Sequence, residues 1–405
     1  MKLTENYHLT YCTNIHPGES WGEVEKNLKT YIPKVSNALV PAQPFGIGLR
    51  LSHKASQELL LGDHLPVFKT WLKENEYYIF TLNGFPYGGF HRQVVKDDVH
   101  RPDWTTLDRV DYTKRLFEIL AQLLPSDMDG GISTSPISYK FWYGSEKERE
   151  EALYQGAMHV AIIAKQLFGI RRSMGMTLHL DIEPEPDGLL ENTQETIDFF
   201  NQWLIPVGTK FLQKELNITA SEAEECIRTH IRLCYDVCHF AVEYEDPKEV
   251  FARLQSAGIQ IGKIQISAAL KAELPPVNDR NRIAESFRPF VESTYLHQVM
   301  EKDKQGHLHH YNDLPAALEN IDKPEATEWR THFHVPVFLK NYGLLSSTQE
   351  DILKVLSLLK KETVTRHLEV ETYTWEVLPE DIQLNLADSI IRELQWVRDR
   401  FHDVG

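Results

Sequence analysis

Short apolar runs alternate with longer amphipathic stretches along nearly the whole chain. Eight runs read as strands: 7–15, 45–52, 77–85, 130–138, 176–183, 231–238, 261–268 and 366–373. The stretches between them carry helical spacing. In DYTKRLFEILAQLLP, Leu116, Ile119, Leu120, Leu123 and Leu124 mark one buried face, and Pro125 ends the pattern. Residues 146–169 predict a long helix ending at a glycine, and 246–258 predict one opened by Asp246-Pro247. A capping-box-like Ser347-Thr-Gln-Glu350 predicts another helix start, and 378–402 the closing helix. Strands alternating with helices are the mark of βα units, and eight of them predict an α/β (β/α)₈ TIM barrel, a single domain over residues 1–405. One segment, 271–330, is too long for an ordinary connection and is expected to be an insertion after the seventh strand, lying over the C-terminal face.

The polar residues are not scattered. Several runs start apolar and end in carboxylate or imidazole: LHLDIEPEP (Asp181, Glu183, Glu185), LCYDVCHF (Asp236, His239), THFHVPVF (His332, His334) and HLEVETYTW (Glu369, Glu371). Barrel sites are built at the C-terminal ends of strands, so these residues are expected to converge. Clustered carboxylates repel unless a cation lies among them, and carboxylate mixed with imidazole suits a divalent ion such as Mn²⁺, Zn²⁺, Co²⁺, Mg²⁺ or Fe²⁺. Glu183 is a candidate ligand or proton-transfer base, Asp236 a ligand, and His239 a second ligand or a substrate-orienting group. Of Glu369 and Glu371, one is expected to bind metal and the other to act as a general acid or base or to partner a basic residue, with Glu371, nearer the strand end, the preferred ligand. His332 and His334 share a face if extended, and Arg330 could hold an anionic group. Asn14, His16 and Glu19 after the first strand, and Asn83, Tyr87 and His91 after the third, are expected to line the same pocket.

Composition narrows the partners. The net charge of −16 disfavours nucleic acid, which needs clustered Lys and Arg. Hydrophobic residues make up 42% of the chain, enough for one large core, and no run reaches the ~20 residues of a membrane helix. The N-terminus lacks a basic segment followed by an apolar stretch, and Cys12, Cys226, Cys234 and Cys238 form no CxxC pair. The expectation is a cytoplasmic protein with reduced thiols, no membrane insertion and a small-molecule substrate.

The D-x-x-H of Asp236 and His239, with Glu183 and a carboxylate on the last strand, resembles the xylose isomerase-like superfamily of TIM barrels. The strings CTNIHPGESW, TLNGFPYGGFH, YLHQV, YNDLPAALE and WRTHFHVPVF resemble the EboE family, a metabolite traffic protein family. The superfamily resemblance implies a metal set of Glu183, Asp236, a seventh-strand ligand and Glu369 or Glu371. The seventh-strand position is Gln265, a weaker ligand than imidazole, for which His332 or His334 could substitute. It also implies that Lys271 lies where epimerases place a cation for the substrate. The EboE resemblance implies a role in metabolite trafficking or natural-product precursor handling and contact with other proteins of that pathway.

The reading these features support is a metal-dependent isomerase or epimerase of a sugar-like compound. Catalysis would fall to Glu183, Glu369 and Glu371, metal binding to Glu183, Asp236, Gln265, His334 and Glu371, and substrate binding to His16, Asn83, His91, His239, Lys271, Arg330 and His332. The alternatives are a non-catalytic metabolite carrier or scaffold, and a phosphoester hydrolase of the endonuclease IV-like branch. No Rossmann, Walker A, HExxH or GxSxG motif is present.

Overall fold

The computed structural model describes residues 1–89, 95–376, 378 and 385–403. Seven parallel strands come first: β1 (His8–Tyr11), β2 (Phe45–Arg50), β3 (Tyr77–Asn83), β4 (Gly130–Thr134), β5 (Leu178–Ile182), β6 (Ile231–Asp236) and β7 (Ile261–Ile266). Between β7 and the last barrel strand lie β8 (Ala269–Glu273), β9 (Val299–Asp303), β10 (Leu308–Tyr311), β11 (Ala326–His334), β12 (Asn341–Tyr342) and β13 (Leu345–Ser347), after which β14 (His367–Val370) returns to the barrel. The barrel order is β1-β14-β7-β6-β5-β4-β3-β2, and a parallel bridge from Cys12 to Gly48 brings β1 against β2. All eight runs read from the sequence are these strands, and the (β/α)₈ barrel is the observed fold.

Outward-facing Leu178, Leu180 and Ile182 of β5 pack under the surrounding helices with no exposure, as a two-sided parallel strand requires. The inward set is polar: Thr10, Thr81, Ser133, Asp181, Lys263 and Glu369 are all fully buried. This departs from the Val/Ile/Leu filling usual in such barrels. Its midlayer is tied by a buried ion pair, Lys263 Nζ to Glu369 Oε2 at 2.6 Å. Gly262 supplies the turn inward: the register of β7 against β6 shifts here, and a bulge re-aims the side chain that follows it.

The segment after β7 carries its own six-stranded sheet, order β10-β9-β11-β8-β13-β12, with antiparallel pairing throughout. The sheet therefore extends beyond 271–330 and includes the strand bearing His332 and His334. Helix ends differ in detail from the sequence reading. The helix Glu146–Met174 runs through Gly169 and ends at Gly175, whose left-handed conformation closes it. The helix Gln349–Lys361 starts after Thr348 without a side-chain cap, because Ser347 Oγ donates instead to the Leu339 carbonyl. The Asp246-Pro247 start forms as read, with Asp246 accepting from the Lys248 amide.

The last helix, Leu386–Asp403, is docked by a buried acid. Glu393 Oε1 accepts from Thr372 Oγ1 at 2.7 Å and from the Val337 amide at 3.1 Å, and burial pushes its carboxyl up to about 7. A carboxyl raised in the folded state binds its proton more tightly folded than unfolded. Its stabilising contribution is complete below the unfolded value and is lost as pH rises toward 7, about 3 kcal/mol at about 1.4 kcal/mol per unit. Glu393→Gln keeps the Oε1 acceptor and has no proton to lose. Urea unfolding between pH 5 and 8 should show a shallower decline for this variant than for wild type. Parallel curves would show that Glu393 does not govern the slope.

Candidate functional site

Glu183 follows the end of β5, Asp236 ends β6, and Glu371 follows the end of β14. Inward alternation at three strand ends brings their carboxylate oxygens within 4.8 Å of one another. The insertion sheet adds imidazoles from the side: Asp236, His239 and His334 meet within the same limit, as do Glu185, His239 and His332. These overlapping groups form one polar knot at the C-terminal mouth.

The knot is held from outside and left open inside. Asp236 Oδ1 caps the following short helix through the His239 amide and accepts from Ser267 Oγ at 2.6 Å. Glu183 Oε1 accepts from Gln265 Nε2 at 2.6 Å. Glu371 Oε1 accepts from Asn14 Nδ2 at 2.7 Å and Asn83 Nδ2 at 3.2 Å. The three histidines are oriented through Nδ1: His239 to the Pro184 carbonyl, His332 to Gln298 Oε1, and His334 to the Glu371 carbonyl. Meanwhile Glu183 Oε2, Asp236 Oδ2, His332 Nε2 and His334 Nε2 are buried without a hydrogen-bond partner among the described residues. Buried lone pairs that face one another unpaired are costly unless a cation joins them. Imidazoles fixed through one nitrogen with the other turned inward are the usual preparation of metal-binding histidines. The donor set fits a divalent ion.

Electrostatics agree. Burial raises the Glu183 carboxyl well above the usual range, and neighbouring Asp236 adds to this. Glu371 is raised by burial, then by Glu183 and Asp236. Glu185 is raised by burial and Asp236. His239, His332 and His334 are all lowered, chiefly by burial, so they present neutral nitrogens. Like charges that cannot all ionise, beside neutral imidazoles, are the protonation pattern a metal reverses on binding.

Above the knot is a cavity with about 70 Å³ of free space. At roughly 10–15 Å³ per water position it suits a compact polar ligand. Polar walls come from Asn14, Asn83, Gln298 and Lys96, and apolar ones from Phe85, Val99, Tyr295 and Tyr373. Lys96 Nζ is tied to Asp313 Oδ2 at 2.8 Å and to the Tyr295 carbonyl. His100 Nε2 lies 3.1 Å from Glu185 Oε1, and burial pushes this imidazole down to about 3, so it stands beside the carboxyl uncharged.

Of the residues singled out from the sequence, Glu183, Asp236, Gln265, Glu371, Asn83, His239, His332 and His334 come together at the knot. Others do not reach it. Glu369 lies one layer deeper and is committed to Lys263. Lys271 pairs with Glu350 at 2.8 Å. Arg330 is held by Glu328, the Ala241 carbonyl and the Tyr244 ring. The β11 register shifts between Thr331 and His334, so Arg330 does not follow the histidines inward. His16 is buried against Tyr11 and Tyr31, in a separate cleft with Arg50. Tyr87 stacks on His53, and Glu19 pairs with Arg50. His91 lies outside the described residues. Lys96, His100, Tyr295, Gln298 and Tyr373 went unread: Lys96 and His100 end no apolar run, and Tyr295, Gln298 and Tyr373 stood in the quoted strings YLHQV and HLEVETYTW without a carboxylate or imidazole to single them out.

No family model matches the sequence, and no curated protein matches it. Solved structures similar to this chain include the IolI protein with a bound zinc atom, at 13% identity over 98% of this chain and 99% of that one, TM-score 0.49. A xylose isomerase-like TIM barrel protein from Mycobacterium smegmatis in complex with magnesium shows 10% identity over 100% and 99%, TM-score 0.49. A D-tagatose 3-epimerase-like protein shows 11% identity over 98% of both chains, TM-score 0.47. Among these three the superfamily suggested by the sequence is represented by name and the EboE family is not.

Proposed function

We propose that this barrel is a metal-dependent isomerase or epimerase of a small sugar-like polyhydroxy compound, working in metabolite trafficking or natural-product precursor handling. The observation that carries the reading is the knot itself: Glu183, Asp236 and Glu371 within 4.8 Å, linked through shared triads to His239, His332 and His334, with Glu183 Oε2, Asp236 Oδ2, His332 Nε2 and His334 Nε2 buried and unpartnered among the described residues. Glu183, Asp236, Glu371 and His334 would hold the ion. When bound, a divalent ion supplies Lewis acidity that stabilises charge developing on a substrate oxygen.

Glu183 and Glu371 stand on β5 and β14, which are separated by β6 and β7 in the barrel order. They can face a ligand from different sides, one carboxylate taking a proton from carbon and the other returning one. In the metal-free site burial and mutual repulsion raise both acids well above the usual carboxylate range. Asn14 and Asn83 fix the Glu371 carboxylate, and the aromatic walls exclude water. Gln265 spends its amide on Glu183, an observation that favours the alternative of a binding protein without turnover.

The test is incubation of the Mn²⁺- or Zn²⁺-loaded protein with ketoses, ketose phosphates and cyclic polyhydroxy ketones in D₂O. Isomerised product carrying deuterium at the exchanged carbon is expected. Glu183→Gln and Glu371→Gln should each lower the rate by about 10²–10⁴-fold. Tight ligand binding with no exchange under any metal would replace the enzyme reading by the carrier.

A further inference from the structure

The opposite end of the barrel carries a second cluster that the mouth chemistry does not use. Asp129 immediately precedes β4, His179 is the second residue of β5, and His367 opens β14. All three stand at N-terminal strand ends, on the floor of the barrel. Their ligand atoms lie within 4.8 Å of one another. His179 and His367 are buried, their rings 5.4 Å apart and inclined by 27°, while the Asp129 side chain is 25% exposed.

The distances are informative. His179 Nε2 is 3.6 Å from Asp129 Oδ2, and His367 Nε2 is 3.5 Å from Asp129 Oδ1. Both are too long for good hydrogen bonds, which fall at roughly 2.7–3.2 Å. They are close to the separation of about 3.4 Å between two ligands on one tetrahedral ion with bonds near 2.0–2.2 Å. His179 Nε2 and both nitrogens of His367 have no hydrogen-bond partner among the described residues.

The tautomer points the same way. His179 Nδ1 lies 2.6 Å from Asp181 Oδ1; when the ring carries its proton on Nδ1 and donates it there, Nε2 turns a lone pair toward the Asp129 carboxylate. In that tautomer two acceptors face one another, an arrangement that a bound cation relieves. A carboxylate behind the distal nitrogen of a histidine is also the partner that orients metal-binding imidazoles. The backbone makes room for this arrangement: a Cβ at Gly131 would fall 2.3 Å from His179 Cε1, and one at Gly262 1.9 Å from Asp181 Oδ1. Phe80 packs against His367 from the side, ring centroids 5.1 Å apart. The exposed edge of Asp129 leaves an entry from solvent and a coordination position for water. Arg232 Nη1, 3.2 Å from Asp129 Oδ2, bonds the carboxylate oxygen that faces His179 and leaves the one facing His367 to the ion.

We propose that Asp129, His179 and His367 form a zinc-type site that clamps β4, β5 and β14 across the barrel floor, separate from the mouth. Two imidazoles and one carboxylate suit Zn²⁺ or Co²⁺ better than Mg²⁺ or Ca²⁺. The direct test is anomalous diffraction at the zinc edge from crystals of the full chain soaked in Zn²⁺. A peak is expected on the floor about 2 Å from both Nε2 atoms and an Asp129 oxygen. In solution, Asp236→Asn should disable the mouth and retain about one equivalent of zinc, held by the three floor residues. Asp129→Asn, a conservative change at a part-exposed side chain, should lose that equivalent. Co²⁺ substitution of Asp236→Asn should give the visible absorption of four-coordinate cobalt. A zinc-saturated crystal with no floor peak would overturn the site, as would equal zinc content in wild type and Asp129→Asn. Neither outcome bears on the mouth.

Discussion

Lys263→Met is expected to destabilise the barrel by about 3–5 kcal/mol, the cost of leaving one member of a buried ion pair alone. Lys263 and Glu369 are both fully buried, with Nζ and Oε2 2.6 Å apart. Burial alone would lower the lysine, but the Glu369 carboxylate outweighs it and holds the ammonium above its ordinary value. Glu369 has little else to turn to, since its Oε1 has no hydrogen-bond partner. The variant would therefore leave a buried carboxylate beside Cys12 and the Glu371 acid. Methionine replaces the aliphatic length of lysine, so the loss reports charge and not a cavity. The control is the pair Lys263→Met with Glu369→Gln, which removes both charges and should recover most of the stability. Urea unfolding of wild type, single and double variants measures the coupling. A double variant as unstable as the single one would mean that the loss comes from packing around Lys263 and not from the stranded carboxylate.

This pair also shows what the sequence could and could not reveal. Lys263 lies inside IGKIQISA, a run whose apolar neighbours mark it as a strand, and nothing local says that its partner is 106 residues away. Glu369 and Glu371 alternate onto the same wall, but two residues along a strand is about 6.6 Å, a full layer of the barrel interior. Only the later residue reaches the mouth. The strand ends were legible because parallel strands must bury both faces until they emerge, so a carboxylate at the end of an apolar run marks a rim. That rule located Glu183, Asp236 and Glu371 together. It failed for Arg330, where strand period predicts a common face with His332 and His334 and the β11 irregularity breaks the period. It was also silent about strand beginnings. His179 and His367 lie near the starts of their runs, and the floor cluster they make depends on an interior wide enough for polar residues, which glycines on neighbouring strands provide. The insertion sheet was illegible for another reason: strands as short as LHHY and LSS carry too few positions to show alternation.

Asp236→Asn should separate the cost of the mouth from its use. The substitution keeps Oδ1, and with it the cap on the His239 amide and the acceptor for Ser267 Oγ. It replaces the unpartnered Oδ2, the atom turned into the knot, by an amide nitrogen that cannot bind a metal. In the metal-free protein, Asp236 is second only to burial in raising Glu183 and follows burial and Glu183 in raising Glu371. Removing its charge relieves that repulsion, and the apo variant should be about 1 kcal/mol more stable than apo wild type. With metal the order should invert. A ligand at about 100 times its dissociation constant adds about 2.7 kcal/mol to a protein that binds it only when folded. Wild type should gain this from the mouth, whereas the variant, with affinity lowered by at least about 100-fold, should gain almost none of it. Thermal melts with EDTA and with Mn²⁺, an ion that disfavours the imidazole-rich floor, would show the two curves crossing. An equal Mn²⁺-induced shift in both proteins would remove Asp236 from the metal set and, with it, the chemical basis for isomerisation at this mouth.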